Sequence, residues 1–288
     1  MWSQFVSVLI LCSIAMLCRG QISPTLYGDE WINEDQTYYK FQITEEGIYR
    51  LSAQTLEDAG ISLSEIDVDR FQLYSLGQEI PLRITTTGNL GAADYIEFYA
   101  FANDGSVDAL LYTDAKSDQL NPFISLYSDE RPYYLTWTLD DSKGQRYREE
   151  GNGLDGNGLP PTETYYIHRE IITYDEFHHK PSHDGRNFIR YSSMDVSEGY
   201  GSTLAEERTV QVEVDRLSAF GVDPRVIIRF GTNVLSRNWK ISNDTRDLKF
   251  ISQNGYGVVD IDERFPLHEL HEGLFLSLIH ISEPTRPY

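Results

Sequence analysis

Residues 103–108, Asn-Asp-Gly-Ser-Val-Asp, bring carboxylate and amide oxygens together around a glycine that permits a tight turn. Oxygen ligands of this kind bind hard cations such as Ca²⁺, so Asp104 and Asp108 are the candidate metal ligands of the chain. Their spacing is not that of an EF-hand loop. A plain Asn-Asp-Gly turn, in which the Asp side chains accept hydrogen bonds from nearby backbone, explains the same residues. We favour the turn and keep Ca²⁺ as the alternative.

Three histidines, His178, His179 and His183, lie close together in a second candidate site. With Asp175 or Asp184 they could complete the ligand shell of a Zn²⁺ ion. A proline and a glycine in the same stretch predict a loop, which would not fix these ligands on one face. A solvated polar loop is therefore favoured over a zinc site.

Two other groups of residues resemble sites. His268 and His271 lie in a His-Glu-Leu-His run, whose order differs from the His-Glu-x-x-His of zinc-binding helices, so a metalloprotease is excluded. The aromatic side chains of Tyr133, Tyr134 and Trp137 could form a stacking platform for sugar rings. Alternate positions of such a strand are more often buried, and core packing is favoured because aromatic residues bury large apolar areas.

Residues 1–20 have the pattern of a secretory signal peptide. The apolar run from Phe5 to Leu17 is shorter than the roughly 20 residues that span a bilayer, and the small Gly20 offers a cleavage point. Both cysteines, Cys12 and Cys18, lie in this segment, so the mature chain has no thiol for catalysis, for a disulfide or for a metal. Lipidation of Cys18, a retained anchor and a buried first strand are the alternatives.

The chain is strongly acidic, with a formal net charge of −21 at pH 7. Nucleic-acid binding depends on Lys and Arg that neutralise phosphates, so a nucleic-acid partner is excluded. Such acidity is compatible with divalent cations and is also common among soluble exported proteins. No cofactor is expected, and no transmembrane helix remains once the signal segment is removed.

The C-terminal stretch that begins at Leu276 and ends at Arg286, Leu-Ser-Leu-Ile-His-Ile-Ser-Glu-Pro-Thr-Arg, resembles the translated adapter of a transposase-based sequencing library. We interpret residues 276–288 as an artefactual tail. The natural reading frame is then expected to continue past Phe275. The alternative is a genuine strand followed by a tail that contains proline.

The predicted fold class is mainly β. A β-rich N-terminal domain over residues 27–148 is expected to contain one short helix over residues 53–59, capped by Ser52 and ended by Gly60. Residues 149–162 contain four glycines and are predicted to form a linker. Residues 163–275 are predicted to form a truncated β-sandwich-like domain, because short alternating strands recur along them. The strands predicted in the two domains cover residues 38–48, 71–74, 80–84, 95–101, 133–139, 165–172, 188–191, 209–214, 225–230, 238–241 and 257–261.

An ordered set of short motifs resembles the N-terminal region of the gingipain-type, sortase-like cysteine peptidases of the type IX secretion system. The similarity is strong over residues 38–137 and loose over residues 165–260. Its opening motifs are Tyr-Tyr-Lys at 38–40, Glu-Gly-Ile-Tyr-Arg-Leu at 46–51, Ala-Gly-Ile at 59–61 and Phe-Gln-Leu-Tyr at 71–74. The more specific ones are Asp-Tyr-Ile-Glu-Phe-Tyr at 94–99, Asn-Asp-Gly-Ser-Val-Asp at 103–108, Leu-Tyr at 111–112, Asn-Pro at 121–122, Ser-Leu-Tyr at 125–127 and Tyr-Tyr-Leu-Thr-Trp at 133–137.

The resemblance implies a β-rich region that precedes a caspase-like α/β domain, where a His and a Cys act on a peptide or on a carrier with a sorting signal. No catalytic residue can be carried over, because the mature chain has no cysteine to serve as the thiolate. The expected partner is a protein, or a substrate protein, of a secretion system. The expected location is the periplasm, outer membrane or surface of a Gram-negative bacterium. The alternative is a stand-alone surface β-sandwich that binds glycan or a partner protein.

Overall fold

The computed structural model describes residues 28–149, 163–180, 194–205, 207–232, 236–243, 246–254 and 257–282. These residues fold into two compact units. Unit 1 holds residues 28–42, 47–100 and 132–148, and unit 2 holds residues 43–46 and 101–131 together with the described residues from 149 onward. The predicted signal segment 1–20 and residues 150–162 of the predicted linker lie outside the described residues, so the division at that linker stays a prediction.

Unit 1 contains two antiparallel sheets and one short helix. The first sheet has the order β1-β7-β3-β4, and the second has the order β2-β6-β5. Their strands and the helix are β1 (Tyr39–Ile43), β2 (Gly47–Ser52), α1 (Ala53–Asp58), β3 (Phe71–Ser75), β4 (Gln78–Ile80), β5 (Arg83–Ile84), β6 (Tyr95–Ala100) and β7 (Arg131–Trp137). Short 3₁₀ turns at Leu63–Glu65 and Val68–Arg70 lead into β3.

Side chains from both sheets form the core of unit 1. Phe98 on β6 lies 5.8 Å from the ring of Phe41 on β1 and 6.0 Å from the ring of Tyr133 on β7. Phe71 and Leu73 of β3 have no exposed surface, since alternate residues of a strand face the same side. Burying each of these large apolar side chains stabilises the fold by about 1.5–3 kcal/mol.

Local chemistry explains the entry to α1 and the turn after β3. The Ser52 hydroxyl accepts a hydrogen bond from the Thr55 N–H at 3.1 Å, which satisfies a backbone donor at the helix start. The two-residue loop between β3 and β4 has φ of 49° at Leu76 and 76° at Gly77. Two positive values are typical of the type I′ hairpin turn. Pro81 has no N–H to donate, and it separates β4 from β5, which pairs with β6 in the other sheet.

Unit 2 begins with a loop-rich segment over residues 101–131, which contains the 3₁₀ turn Val107–Leu111 and the one-turn helix α2 (Ala115–Asp118). Its strands are β8 (Phe177–His179), β9 (Gly199–Gly201), β10 (Glu207–Val214), β11 (Arg225–Thr232), β12 (Ser236–Asn243), β13 (Asp247–Asn254), β14 (Gly257–Arg264) and β15 (Gly273–Ser282). They form sheets with the orders β8-β9, β11-β14 and β10-β15-β12-β13.

The core of unit 2 lies between the last two of these sheets. Trp239 and Ile241 of β12 pack with Val259 and Ile261 of β14 in one buried cluster. The ring of Phe230 on β11 lies 4.3 Å from that of Trp239. The β-sandwich-like packing expected for this part of the chain is therefore present.

The mainly β prediction is confirmed, with corrections to individual elements. The structure adds α2 to the single predicted helix, and it adds β8, β9, β13 and β15 to the predicted strands. The strand predicted over residues 38–48 is instead two strands, β1 and β2, and the one predicted over residues 80–84 is divided between β4 and β5. Residues 165–172, predicted as a strand, are described and form none: Tyr166 and Ile167 are each more than 70% exposed, so no sheet covers them. The predicted strand over residues 188–191 lies outside the described residues.

Residues 276–282 of the predicted artefactual tail belong to β15, which pairs antiparallel with β10 and β12. The pairing shows which conformation these residues adopt, but it does not show whether their codons belong to the natural gene. The interpretation of this stretch as an adapter sequence therefore stays a prediction. Among the described residues, no helix has the length and apolarity needed to cross a membrane.

Candidate functional site

The structure places Asp108 inside the fold. It lies in the 3₁₀ turn Val107–Leu111, and only 5% of its surface is exposed. One carboxylate oxygen accepts a hydrogen bond from the Leu126 N–H at 2.6 Å, and the other accepts one from the Ser125 hydroxyl at 3.3 Å. A buried carboxylate is stable when it is hydrogen-bonded in this way. The side chain of Asp108 therefore links two segments of unit 2 that are 17 residues apart.

The other candidate ligand, Asp104, has a local role. Its Oδ1 accepts hydrogen bonds from the backbone N–H of Ser106 at 3.0 Å and from the Ser106 hydroxyl. This arrangement is the side-chain turn that Asp residues form with backbone two positions later. The two aspartates thus have different partners, and the part of the chain that the structure describes contains no group of three or more His, Cys, Asp or Glu arranged for a metal ion.

Gly105 brings the turn against the segment that follows α2. A Cβ at this position would lie 2.6 Å from the carbonyl oxygen of Asn121 and 2.9 Å from that of Ile124. The Gln119 side-chain amide donates to the Gly105 carbonyl at 2.5 Å. The absence of a side chain at position 105 is therefore required by packing.

The same loop segment is tied to the residues before β9. The Tyr112 hydroxyl donates to the Glu198 backbone carbonyl at 2.7 Å, and the Ser197 N–H donates to the Asp118 carbonyl at 2.7 Å. Burial raises the pKa of the Tyr112 hydroxyl, and the nearby charges of Glu198 and Asp108 act in the same direction. Tyr112 is therefore a protonated hydrogen-bond donor across the physiological range.

The structure separates the side chains of the two candidate histidines that it describes. His178 and His179 are consecutive residues of β8, whose side chains leave a strand on opposite faces. His178 Nε2 lies 3.8 Å from Glu198 Oε1, whereas His179 is buried, with 8% of its surface exposed. Desolvation lowers the pKa of His179, and the neighbouring His178 lowers it further, while Glu198 opposes both effects. His183 and Asp184 lie outside the described residues.

Of the three aromatic candidates, Tyr133 is buried, and Tyr134 and Trp137 are partly buried. Tyr133 is 1% exposed and packs against Phe98, so it is a core residue as favoured from the sequence. Trp137 stacks on Tyr39 with ring centroids 5.9 Å apart. Tyr134 lies 5.3 Å from the ring of Trp31, a residue that the sequence analysis did not single out.

Trp31 lines an open groove of about 430 Å³ in unit 1. Its lining residues include the aromatic Trp31 and Tyr74 and the polar Asn33, Asp35 and Asp140. One feature of the sequence could have indicated this groove. Trp31 is the one tryptophan in the polar stretch 28–37, and it lies before the first predicted strand, so it is not part of a predicted core strand.

The comparisons with known proteins identify no family for this chain. No family model matches the sequence, and no curated protein matches it. One solved structure, dimeric latent PorU from Porphyromonas gingivalis, is similar over 85% of this chain, with a TM-score of 0.43 and 14% sequence identity. This chain spans 23% of the length of that protein. At this TM-score and identity the similarity carries no conclusion about structure or activity.

Proposed function

We propose that this chain is the non-catalytic N-terminal region of an exported gingipain-type cysteine peptidase or sortase associated with type IX secretion. The observation that supports this proposal is that several of the short motifs contact one another in unit 2. Asp108, the last residue of the 103–108 motif, is hydrogen-bonded to Ser125 and Leu126 of the 125–127 motif. Gly105 packs against Asn121 and Pro122, which form a third motif.

This convergence gives the motif residues a physical role in folding. The polar atoms of Asp108 and Tyr112 are used to join backbone segments. A general acid, a base or a nucleophile must instead present its polar atom where a substrate can reach it. The motif set is thus explained as the packing centre of a scaffold, which supports a structural rather than a catalytic role.

The cysteine content supports the same assignment. A gingipain-type enzyme needs a thiolate beside a base, and this chain has cysteines only at positions 12 and 18, inside the predicted signal segment. After signal removal the remaining chain has no nucleophile for that chemistry. The catalytic His and Cys of the parent protein are proposed to lie in a domain that follows this region.

The proposed setting follows from the signal pattern and the charge. A cleaved signal over residues 1–20 would deliver the protein to the periplasm, the outer membrane or the surface of a Gram-negative bacterium. A net charge of −21 keeps such a domain soluble and disfavours polyanions. The proposed partner is therefore a protein of the secretion system or a substrate protein.

A peptidase assay tests the non-catalytic part of this proposal. The chain from Gln21 to Tyr288 is incubated with a fluorogenic peptide library, with and without prior treatment by iodoacetamide. We expect no hydrolysis above that of a heat-denatured sample in either case. Hydrolysis by the native chain that is lost after heat denaturation would contradict the proposal, whether or not the alkylating agent blocks it.

A further inference from the structure

The groove beside Trp31 is built from residues of unit 1 alone, and it combines two kinds of surface. Trp31 and Tyr74 supply aromatic rings, whereas Asn33, Gln72, Asp35 and Asp140 supply amide and carboxylate groups. Its volume of about 430 Å³ falls within the range of roughly 300–1,000 Å³ that is usual for ligand pockets. The groove can therefore accommodate a small ring-shaped group.

The ring of Trp31 is held in place from several sides. Its Nε1–H donates to the Gly28 carbonyl at 3.2 Å, and its centroid lies 5.0 Å from that of Tyr74 and 5.5 Å from that of Tyr38. A Cβ on Gly77 would come within 3.2 Å of the indole, so the glycine lets the ring lie close to the hairpin turn. A ligand that stacks on a fixed ring loses less conformational entropy than one that must first order it.

The charge of the groove limits what it can bind. Its lining includes Asp35 and Asp140 and no Lys, Arg or His. Hydrogen bonds from the hydroxyl and the N–H of Ser142 lower the pKa of Asp140, so that side chain is an ionised acceptor at neutral pH. Phosphate, sulfate and carboxylate groups are repelled by such a surface.

We propose that this groove binds a neutral sugar residue of a glycan, with Trp31 against the C–H face of the sugar ring and the surrounding amides and carboxylates on its hydroxyl groups. Sugar hydroxyls are both donors and acceptors. Asp35 and Asp140 can accept from them, and the Asn33 amide can both donate and accept. The Gln72 Nε2 already donates to the Tyr74 hydroxyl and to Glu79, so Gln72 offers its carbonyl oxygen as an acceptor. An aromatic face beside such groups matches a ring that is apolar on one face and polar around its edge.

The proposal concerns binding only and does not depend on the assignment to a peptidase. A scaffold region and a stand-alone surface protein could both use the groove. Failure of glycan binding would leave the proposed function unchanged, and the peptidase assay does not bear on the groove.

Isothermal titration calorimetry on the chain from Gln21 tests the proposal with four neutral oligosaccharides: maltohexaose, cellohexaose, mannohexaose and chitohexaose. Hexagalacturonate serves as the acidic counterpart. We expect at least one neutral hexasaccharide to bind, and hexagalacturonate to bind at least tenfold more weakly or not at all. Binding of none of the neutral probes, or stronger binding of the acidic one, would overturn the proposal.

Variants locate the binding. Trp31→Ala is expected to weaken binding at least tenfold and Asp35→Ala at least threefold. Phe250→Ala, which removes a 69%-exposed ring on β13 that does not line the groove, is expected to leave it unchanged. If Trp31→Ala does not fold, as judged by its thermal transition, Trp31→Phe and Asp35→Ala decide the question. Binding that both of these variants leave intact would refute the assignment to this groove.

Discussion

Replacing Asp108 with alanine is expected to destabilise unit 2 by about 3 kcal/mol. The carboxylate is 5% exposed and accepts a short hydrogen bond from the Leu126 N–H at 2.6 Å and a longer one from the Ser125 hydroxyl at 3.3 Å. Hydrogen bonds to charged groups contribute about 1.5–3 kcal/mol, and a longer one contributes less. Alanine would remove both acceptors and leave the two donors without their partner.

Thermal unfolding followed by circular dichroism measures this effect. For a protein of 150–250 residues, about 3 kcal/mol corresponds to a fall in Tm of roughly 6–12 °C. Asp104→Ala is the matched control, since it removes an aspartate of the same turn whose hydrogen bonds are local and exposed. We expect the control to lose less than about 1 kcal/mol, because local surface hydrogen bonds contribute little.

Addition of Ca²⁺ separates the packing role of Asp108 from metal binding. A site that binds Ca²⁺ only in the folded state would stabilise the protein by about 2.7 kcal/mol at a hundredfold excess over Kd. We expect the Tm to be unchanged by Ca²⁺ at about 10 mM, which exceeds the Kd of weak extracellular calcium modules. A loss below about 1 kcal/mol in Asp108→Ala, or a Ca²⁺-dependent rise in Tm that Asp104→Ala and Asp108→Ala abolish, would refute the reasoning.

Three further measurements probe other parts of the structure. Gly105→Ala should lower the free energy of unfolding in urea by several kcal/mol, because a Cβ would lie 2.6 Å from the Asn121 carbonyl oxygen. Gly47→Ala is the control, since the nearest atom to a Cβ there is 3.9 Å away, and it should have little effect. Equal losses of stability in the two variants would contradict this reasoning. Burial lowers the pKa of His179 below the ordinary value of about 6.5, so the unfolded chain binds more protons just below pH 6.5. The free energy of unfolding should therefore decrease as the pH is lowered from about 7 to about 5, in the wild type and in His178→Gln. The decrease should be smaller in His179→Gln. Equal pH dependence in all three proteins would contradict a lowered pKa of His179. Limited proteolysis should cut first within residues 149–162, because glycine-rich segments open easily. Mass spectrometry of the fragments identifies the first cleavage site. First cleavage within β6 or β10 would contradict this prediction.

Short sequence patterns predicted much of the fold of unit 1. Alternation of apolar and polar residues predicted β1, because a half-buried strand repeats its environment every second residue. The hairpin pattern around Gly77 predicted most of β3, and aromatic-rich composition predicted most of β6 and β7. The Ser52 cap and the positive φ at Gly77 are equally local, since each depends on residues within one turn of the chain.

Features that depend on distant residues were not predictable in the same way. Residues 165–172 have a strand-like composition but no sheet partner, and only the tertiary structure decides whether a partner exists. The helix α2 has four residues, too few to show a helical period.

The candidate site shows the same limit. Its residue types were visible in the sequence, but the role of Asp108 depends on Ser125, which lies 17 residues later. The groove beside Trp31 depends on side chains from segments around positions 33, 72 and 140, and no spacing in the sequence indicates that they meet. His178 and His179 are consecutive in the sequence, yet they leave β8 on opposite faces, and His178 lies beside Glu198.

The reading frame of the gene beyond the codon for Phe275 decides whether a catalytic peptidase domain follows this region. Long-read sequencing of the locus, prepared without transposase adapters, gives the natural codons at this point. We expect the frame to continue without the 276–286 sequence into an α/β domain that contains a His and a Cys. A frame that keeps the 276–286 sequence, or that stops before any cysteine, would contradict the assignment to a gingipain-type peptidase.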